Sequence, residues 1–186
     1  MQQQLDRIRT LLLNRPEHHH KPLSPITASE LQQFERGFHI TLPEDYRQFL
    51  LQVTNGGIGP AAGLIPLAQA VDYFRQHAGY ETILSTPFPH TEEYHQEDEP
   101  EVCRAEQLNA SKQMDNETFY RTLDFFHAST LDVADLGSGY YIKLVVTGPS
   151  RGTVWKDFSA VDEGMHPLDM TFLDWYERWL TSEHYL

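Results

Sequence analysis

A chain of 186 residues with 40% hydrophobic and 22% charged residues fits one domain with its own hydrophobic core. Its formal net charge of -13 repels phosphate backbones and anionic membrane surfaces, so we expect neither nucleic acid nor a membrane as a partner. The same charge would attract a basic protein, although many cytosolic proteins are acidic only because charge keeps them soluble.

Two sequence features bear on the compartment. Cys103 is the only cysteine, so no disulfide can form within the chain, and a reducing compartment suits it. The start of the chain lacks the basic and then apolar layout of a signal peptide, and no apolar run approaches the roughly 20 residues that span a bilayer. We therefore expect a cytoplasmic protein.

Residues 1–25 are predicted to form a short helix and a polar linker. Apolar residues recur at helical spacing from Leu5 to Leu12, and Pro16 marks the end of the helix. The linker contains three adjacent histidines at positions 18–20, which can catch a transition metal adventitiously but do not preorganise a closed site. We expect no bound metal there.

The next two predicted helices carry sharp start and stop signals. Thr27 and Glu30 have the spacing of a capping box, in which each side chain satisfies a backbone amide of the other residue. Pro43 suits the first turn of the second helix, and the glycines that follow Asn55 end it in a tight turn. An apolar stripe on the second helix predicts a buried face, formed by Tyr46, Phe49, Leu50 and Val53.

The middle of the chain is harder to interpret. Residues 86–116 contain prolines and many acidic side chains, including Glu97, Asp98 and Glu99, and we expect an acidic loop inserted in the domain. Residues 115–126 fit a helix and a strand equally well.

Strand signals dominate the later part of the chain. Residues 140–147 alternate between apolar and mixed positions, and residues 153–158 supply a return strand after a glycine-rich loop. Thr171 can cap a last helix whose aromatic stripe is expected in the core, formed by Phe172, Trp175, Tyr176 and Trp179. Helices, then strands, then a closing helix, with no alternating βα units, indicate the α+β class.

Several short motifs occur together in an order that resembles the SMI1/KNR4 family, also called the SUKH superfamily. They are ITLPEDYRQFL at 40–50 with NGG at 55–57, DLGSGY at 135–140, VVTGP at 145–149, GTVWKD at 152–157 and TFLDWYERWL at 171–180. The resemblance implies an α+β fold with a mixed, mostly antiparallel sheet flanked by helices, and a single domain over residues 26–186. The N-terminal helix and the acidic insertion lie outside these motifs.

The resemblance also implies a function. Bacterial members of the family are interpreted as immunity proteins that bind polymorphic toxins, often nucleases or nucleic-acid deaminases, and fungal relatives act as interaction scaffolds in cell-wall signalling. We therefore expect a non-catalytic protein that binds and neutralises a protein toxin with a basic active-site groove. A signalling scaffold and, less readily, a small hydrolase using Cys103 or His127 are the alternatives.

No catalytic residue, cofactor or metal is expected. Cys103 lies among charged residues with no recognisable nucleophile motif around it, and the glycines near Asn55 lack the strand and lysine of a phosphate-binding loop. Carboxylates at Asp157, Asp162 and Glu163 could hold a hard cation, but the repeated oxygen ligands of a calcium loop are missing.

The partner-binding residues are predicted on and near the return strand. An aromatic anchor beside carboxylates is typical of a surface that binds a basic protein. The candidates are Trp155, Asp157, Asp162, Glu163, Asp135 and Glu92. The competing interpretation places Trp155 in the core and treats the carboxylates as ordinary surface charge. The sequence leaves the oligomeric state open.

Overall fold

The structure, a computed structural model, describes residues 1–14, 21–76, 80–161 and 163–182. The helices in these ranges are Gln2–Leu13 (α1), Ala28–Gly37 (α2), Glu44–Gln52 (α3), Pro100–Ala110 (α4), Asn116–Phe126 (α5) and Phe172–Thr181 (α6). The strands are Gly63–Leu64 (β1), Thr130–Gly137 (β2), Tyr140–Val145 (β3), Thr153–Asp157 (β4) and Met165–Thr171 (β5). Pro16 and the three adjacent histidines lie outside the described residues.

The five strands form one sheet in the order β1-β2-β3-β4-β5. Each strand pairs with the next one along the chain, and every pairing in the described part of the chain is antiparallel. The α+β prediction is therefore confirmed. Strand β5 forms one edge, where Pro167 and the positive φ of Asp169 (52°) disturb the regular backbone that another strand would need for pairing.

The first face of the sheet packs against α2, α3 and α6 and forms the larger core. The predicted aromatic stripe of α6 lies in this core, and Thr171 caps the helix by accepting a hydrogen bond from the Asp174 amide. The capping box of α2 is also present: the Glu30 amide donates to Thr27 Oγ1 over 3.2 Å, and the Thr27 amide donates to Glu30 Oε2 over 2.7 Å. Local signals thus position the helices of this layer.

Helix α1 packs against α6 at the edge of the same core. Ile8 is fully buried, and Arg7 forms two hydrogen bonds with the Glu177 carboxylate, at 2.7 and 3.1 Å. Arg9 donates to the Gln52 carbonyl at the end of α3. The predicted N-terminal helix is therefore present and contributes to the core, while the domain boundary after residue 25 stays a prediction.

The second face of the sheet is covered by the segment predicted as an acidic loop. Residues 86–116 contain helix α4 and a short 3-10 turn at Gln96–Asp98, so the prediction of a loop is wrong for this part. Phe88, Tyr94 and Val102 are buried among the acidic residues and pack against the sheet. These buried residues could not be recognised from the sequence, because they are few, lie among acidic residues and are too widely spaced to show a periodic pattern.

Residues 116–126, which fit a helix or a strand, form helix α5. The Asp115 carboxylate caps it by accepting a hydrogen bond from the Thr118 amide over 2.8 Å. Phe126, at the end of the helix, stacks on Tyr94 with 5.5 Å between the ring centroids. Both faces of the sheet are thus covered by helices.

None of the helices in the described ranges combines the length and the apolar character that crossing a bilayer requires.

Helix α1 should contribute measurably to stability. Ile8→Ala empties a fully buried site and is expected to lower the free energy of unfolding by roughly 2–5 kcal/mol. Leu13→Ala on the same helix is the control, because Leu13 is 86% exposed and its removal leaves no cavity. Chemical denaturation measures both; equal stability of the two variants would contradict the packing of α1 on the core.

Candidate functional site

A pocket of about 290 Å³ opens on the second face of the sheet, beside the segment that covers the rest of that face. Its rim includes the two-residue turn between β2 and β3, where Ser138 (φ 56°) and Gly139 (φ 82°) both adopt the left-handed conformation. Ser159 and Ala160, in the loop between β4 and β5, form another part of its wall. A Cβ at Gly139 would lie 2.8 Å from the Ala160 Cβ, so the two loops meet there.

A bulge in β2 places two carboxylates on the face of the pocket. Asp132 pairs with Lys143 and Asp135 pairs with Tyr141, and Lys143 and Tyr141 share a face because they are two residues apart. Asp132 and Asp135 are three residues apart and would point to opposite faces of a regular strand. The register shift at Val133 brings them to the same face.

The floor of the pocket is a buried ion-pair cluster that joins three strands. Lys143 Nζ on β3 lies 2.6 Å from Asp132 Oδ1 on β2 and 3.4 Å from Asp157 Oδ2 on β4. Lys143 is 4% exposed and Asp157 is 7% exposed. Burial alone would lower the pKa of Lys143, but Asp132 and Asp157 outweigh it and raise this pKa above its usual value. Lys143 therefore remains charged inside the protein.

Asp157 is held as a carboxylate by the same cluster. Burial raises its pKa, but the opposing charge of Lys143, with smaller contributions from His127 and Ser159, brings the pKa below its usual value. The Ser159 amide donates to Asp157 Oδ1 over 3.0 Å, which ties the loop after β4 to the pocket floor.

His127 closes the inner side of the pocket in its neutral form. Its Nδ1 lies 3.8 Å from Asp157 Oδ2, and its ring meets Tyr94 edge to face. Burial lowers the pKa of His127 to about 4, because the attraction of Asp157 does not offset the loss of solvation. The cluster consequently has two carboxylates and one ammonium, which leave one formal negative charge.

Two tyrosines form aromatic walls above this floor. Tyr73 is 44% exposed. Lys143 Nζ lies over the ring of Tyr141, 5.8 Å from the ring centroid. Burial raises the pKa of both phenols, and the surrounding carboxylates raise it further against the opposing effect of Lys143. The pocket is thus a negative, aromatic-walled cavity.

One of the residues predicted to bind a partner lines this pocket, and a second lies beside it on the same face of the sheet. Asp157 forms part of its floor, and Asp135 lies across Tyr141 from Asp157 in the same row of the sheet. The Asp135 carboxylate accepts a hydrogen bond from the Gly137 amide over 2.7 Å, so it also shapes the rim turn.

Trp155 cannot serve as a surface anchor, so this prediction is wrong. It is 1% exposed and packs edge to face on Phe88 in the smaller core of the second face. Its Nε1 donates to Thr153 Oγ1 over 3.0 Å. The ring is buried because residues 88–126 cover the strand face that the sequence pattern leaves open.

Two of the remaining predicted residues, Glu163 and Glu92, lie near a second charged cluster. Glu163 and Glu92 are both exposed, and Glu93, next to Glu92, accepts contacts from His95 Nε2 at 2.6 Å and His166 Nδ1 at 3.2 Å. His166 Nε2 lies 2.6 Å from the Glu163 carbonyl. Asp162 lies outside the described residues, so its place at the site is a prediction.

Sequence reasoning missed four residues that line the pocket, namely Lys143, Asp132, Tyr141 and Tyr73, and it named His127 only for the hydrolase alternative. The available signal is a lysine in the middle of a strand otherwise rich in apolar residues. A lysine in this context is buried only when carboxylates accompany it.

The negative charge of the pocket is suited to binding a cation, but the described ranges show no metal site. Both carboxylates of the floor already take part in the ion-pair cluster, and no group of three or more metal-binding side chains occurs among the residues that the structure describes.

Cys103 lies on α4, where its Sγ donates to the Glu97 carbonyl over 3.0 Å.

Fold and pocket define a small α+β domain with a negatively charged cavity on one face of an antiparallel sheet. The profile of the SMI1 / KNR4 family (SUKH-1) matches residues 25–178. The chain therefore belongs to this family, whose members are generally non-catalytic and are associated with protein partners. Neither a curated protein nor a solved structure gave a match.

Removing the lysine should strongly destabilise the fold. Lys143→Met leaves Asp132 and Asp157 buried without their counter-ion and is expected to cost roughly 3–5 kcal/mol in the free energy of unfolding. Lys156→Met on β4 is the control, because Lys156 is only half-buried. Chemical denaturation should also show partial recovery in Lys143→Met/Asp132→Asn. A Lys143→Met protein as stable as the control would show that Asp132 and Asp157 are not left buried and unpaired when the lysine is removed.

His127 should make stability depend on pH. Its pKa is about 4 in the folded protein and near 6.5 when unfolded, so only the unfolded chain gains this proton as pH falls between those values. The free energy of unfolding should therefore fall by up to about 3 kcal/mol over this window from His127 alone. Unfolding curves of wild type and His127→Asn should converge in stability as pH falls. Parallel curves would mean that His127 is not held neutral.

Proposed function

We propose that this protein is an immunity-type binding module that neutralises a cognate protein toxin by occupying it, without catalysing a reaction. The toxin would be a nuclease or deaminase whose active-site groove is basic, since such a groove must hold phosphates. Residues 26–186 would form the binding domain, and the protein would act in the cytoplasm beside the toxin that it neutralises.

The observation that carries the proposal is the negative pocket at one end of the sheet. Three carboxylates lie on this face against one buried ammonium, namely Asp132, Asp135 and Asp157 against Lys143. Glu163 extends the negative charge along the loop that forms part of the pocket wall. Membership of the SMI1/KNR4 family and the net charge of -13 support the same conclusion.

Binding would proceed in two stages with different physical causes. The net charge steers a basic partner toward the molecule, which raises the association rate. The short-range contacts then hold the partner, and they determine how slowly it leaves. The rigid ion-pair cluster suits this second role because its carboxylates are already positioned before the partner arrives.

The proposed contact residues follow from exposure. Glu163 and Glu92 are accessible and would act at the rim, and Asp162, which precedes Glu163 in the sequence, is proposed to act with them. Asp135 and Asp157 would act at the pocket, where Asp157 is largely enclosed. Trp155 supports the sheet beneath them.

Co-expression tests the proposal directly. The protein is produced together with the product of the adjacent gene, and we expect a complex of defined stoichiometry, relief of toxicity and loss of the toxin's enzymatic activity. A protein that turns over a substrate on its own, or a toxin that stays active in the complex, would refute the proposal. A stable complex with non-toxic signalling proteins would favour the scaffold function instead.

Rim charges should govern association. The double variant Glu92→Gln/Glu163→Gln is expected to slow association with the toxin several-fold and to weaken its salt dependence, with little change in dissociation. Asp6→Asn/Glu44→Gln removes the same charge at α1 and α3, on the other side of the sheet, and should leave the rate nearly unchanged, because both carboxylates form only exposed ion pairs within their own helices. Stopped-flow kinetics at two ionic strengths measures this. Equal slowing of association by both variants would show that Glu92 and Glu163 have no specific role in binding.

A further inference from the structure

We propose that the pocket on the second face of the sheet is a receptor for a single arginine side chain of the partner protein. This inference rests on the proposed function for the identity of the partner, but the pocket itself can be tested without that partner. The guanidinium would lie between the tyrosine walls and the carboxylates of the floor.

The size of the pocket favours one side chain. Its volume of about 290 Å³ lies at the lower end of the range of roughly 300–1,000 Å³ that is typical of small-molecule sites. At about 30 Å³ per water, it holds the equivalent of roughly ten waters. A long side chain fits within such a space.

The charge of the pocket favours a cation. Lys143 is neutralised by Asp132 and Asp157 together, and His127 adds no charge because burial keeps it neutral. Asp135 lies beside Tyr141 and adds a further carboxylate to the same face. Burial raises the pKa of Tyr141, and Asp135 and Asp132 raise it further against the opposing effect of Lys143, which agrees with this balance.

The shape and chemistry of the lining favour guanidinium over ammonium. A guanidinium is planar, stacks on aromatic faces, and is more weakly hydrated than an ammonium, so it enters a partly enclosed site at lower cost. Tyr73 and Tyr141 supply the aromatic surfaces. The Asp132 carboxylate accepts from Lys143 through Oδ1, and a carboxylate has about four acceptor sites, so it retains capacity for a further donor.

Ser159 holds one wall of the pocket against its floor. This residue lines the pocket, and its amide donates to Asp157 Oδ1 over 3.0 Å, so the Asp157 carboxylate is held in place before a guanidinium arrives.

The experiment uses isotope-labelled full-length protein and N-acetyl-arginine amide as the probe. We expect saturable NMR shifts at Gly139, Tyr141 and Ser159, with a dissociation constant in the millimolar range, on the order of what a ligand this small can reach. N-acetyl-citrulline amide has the same shape without the charge, and we expect it to bind at least about tenfold more weakly than the arginine probe. Equal binding of the two probes, or no saturable shift at these residues, would overturn the proposal.

Two tyrosine variants provide a matched comparison. Tyr73 lines the pocket and Tyr120 on α5 does not, yet both are 44% exposed. Tyr73→Leu should weaken binding of the arginine probe several-fold, whereas Tyr120→Leu should not change it. Thermal unfolding confirms that both variants are folded. Equal effects of the two substitutions would overturn the proposal.

The outcomes separate this inference from the proposed function. If the arginine probe binds but no toxin is neutralised, the pocket is a guanidinium receptor and the immunity function fails. If the toxin is neutralised but the probe does not bind, the immunity function stands and the arginine pocket fails.

Discussion

A charged lysine in the middle of a sheet must be accompanied by carboxylates, and this constraint organises the second face of the molecule. Lys143 connects β2, β3 and β4 through Asp132 and Asp157, and the bulge at Val133 brings a further carboxylate of β2, that of Asp135, to the same face. A buried ion pair of this kind contributes little net stability compared with apolar packing. Its value to the protein is that it fixes negative charge in a pocket.

The helices of the first face could be predicted because their signals are local. Capping at Thr27 and Thr171 and the aromatic stripe of α6 depend on residues three or four positions apart. Strand β5 gives no comparable signal, since Pro167 interrupts it and Asp169 adopts a positive φ. An edge strand with such features does not resemble a strand in sequence.

The pocket could be predicted only in part, for a different physical reason. Asp135 and Asp157 are recognisable as carboxylates near a strand, but their meeting depends on a bulge and on the pairing of three strands. Trp155 and Lys143 occupy positions that an alternating pattern assigns to a mixed or open face. Whether that face is open depends on residues 88–126, whose few apolar anchors pack on it from a distant part of the sequence.

The central claim is that the negative end of the sheet is the surface that a basic protein occupies. Hydrogen–deuterium exchange on the complex tests it most directly, because it reports which backbone amides become protected when the partner binds. The account predicts slower exchange in the turn around Gly139 and in the loop that contains Ser159 and Ala160, with α1 unchanged. Protection confined to α1 and α6 would contradict it.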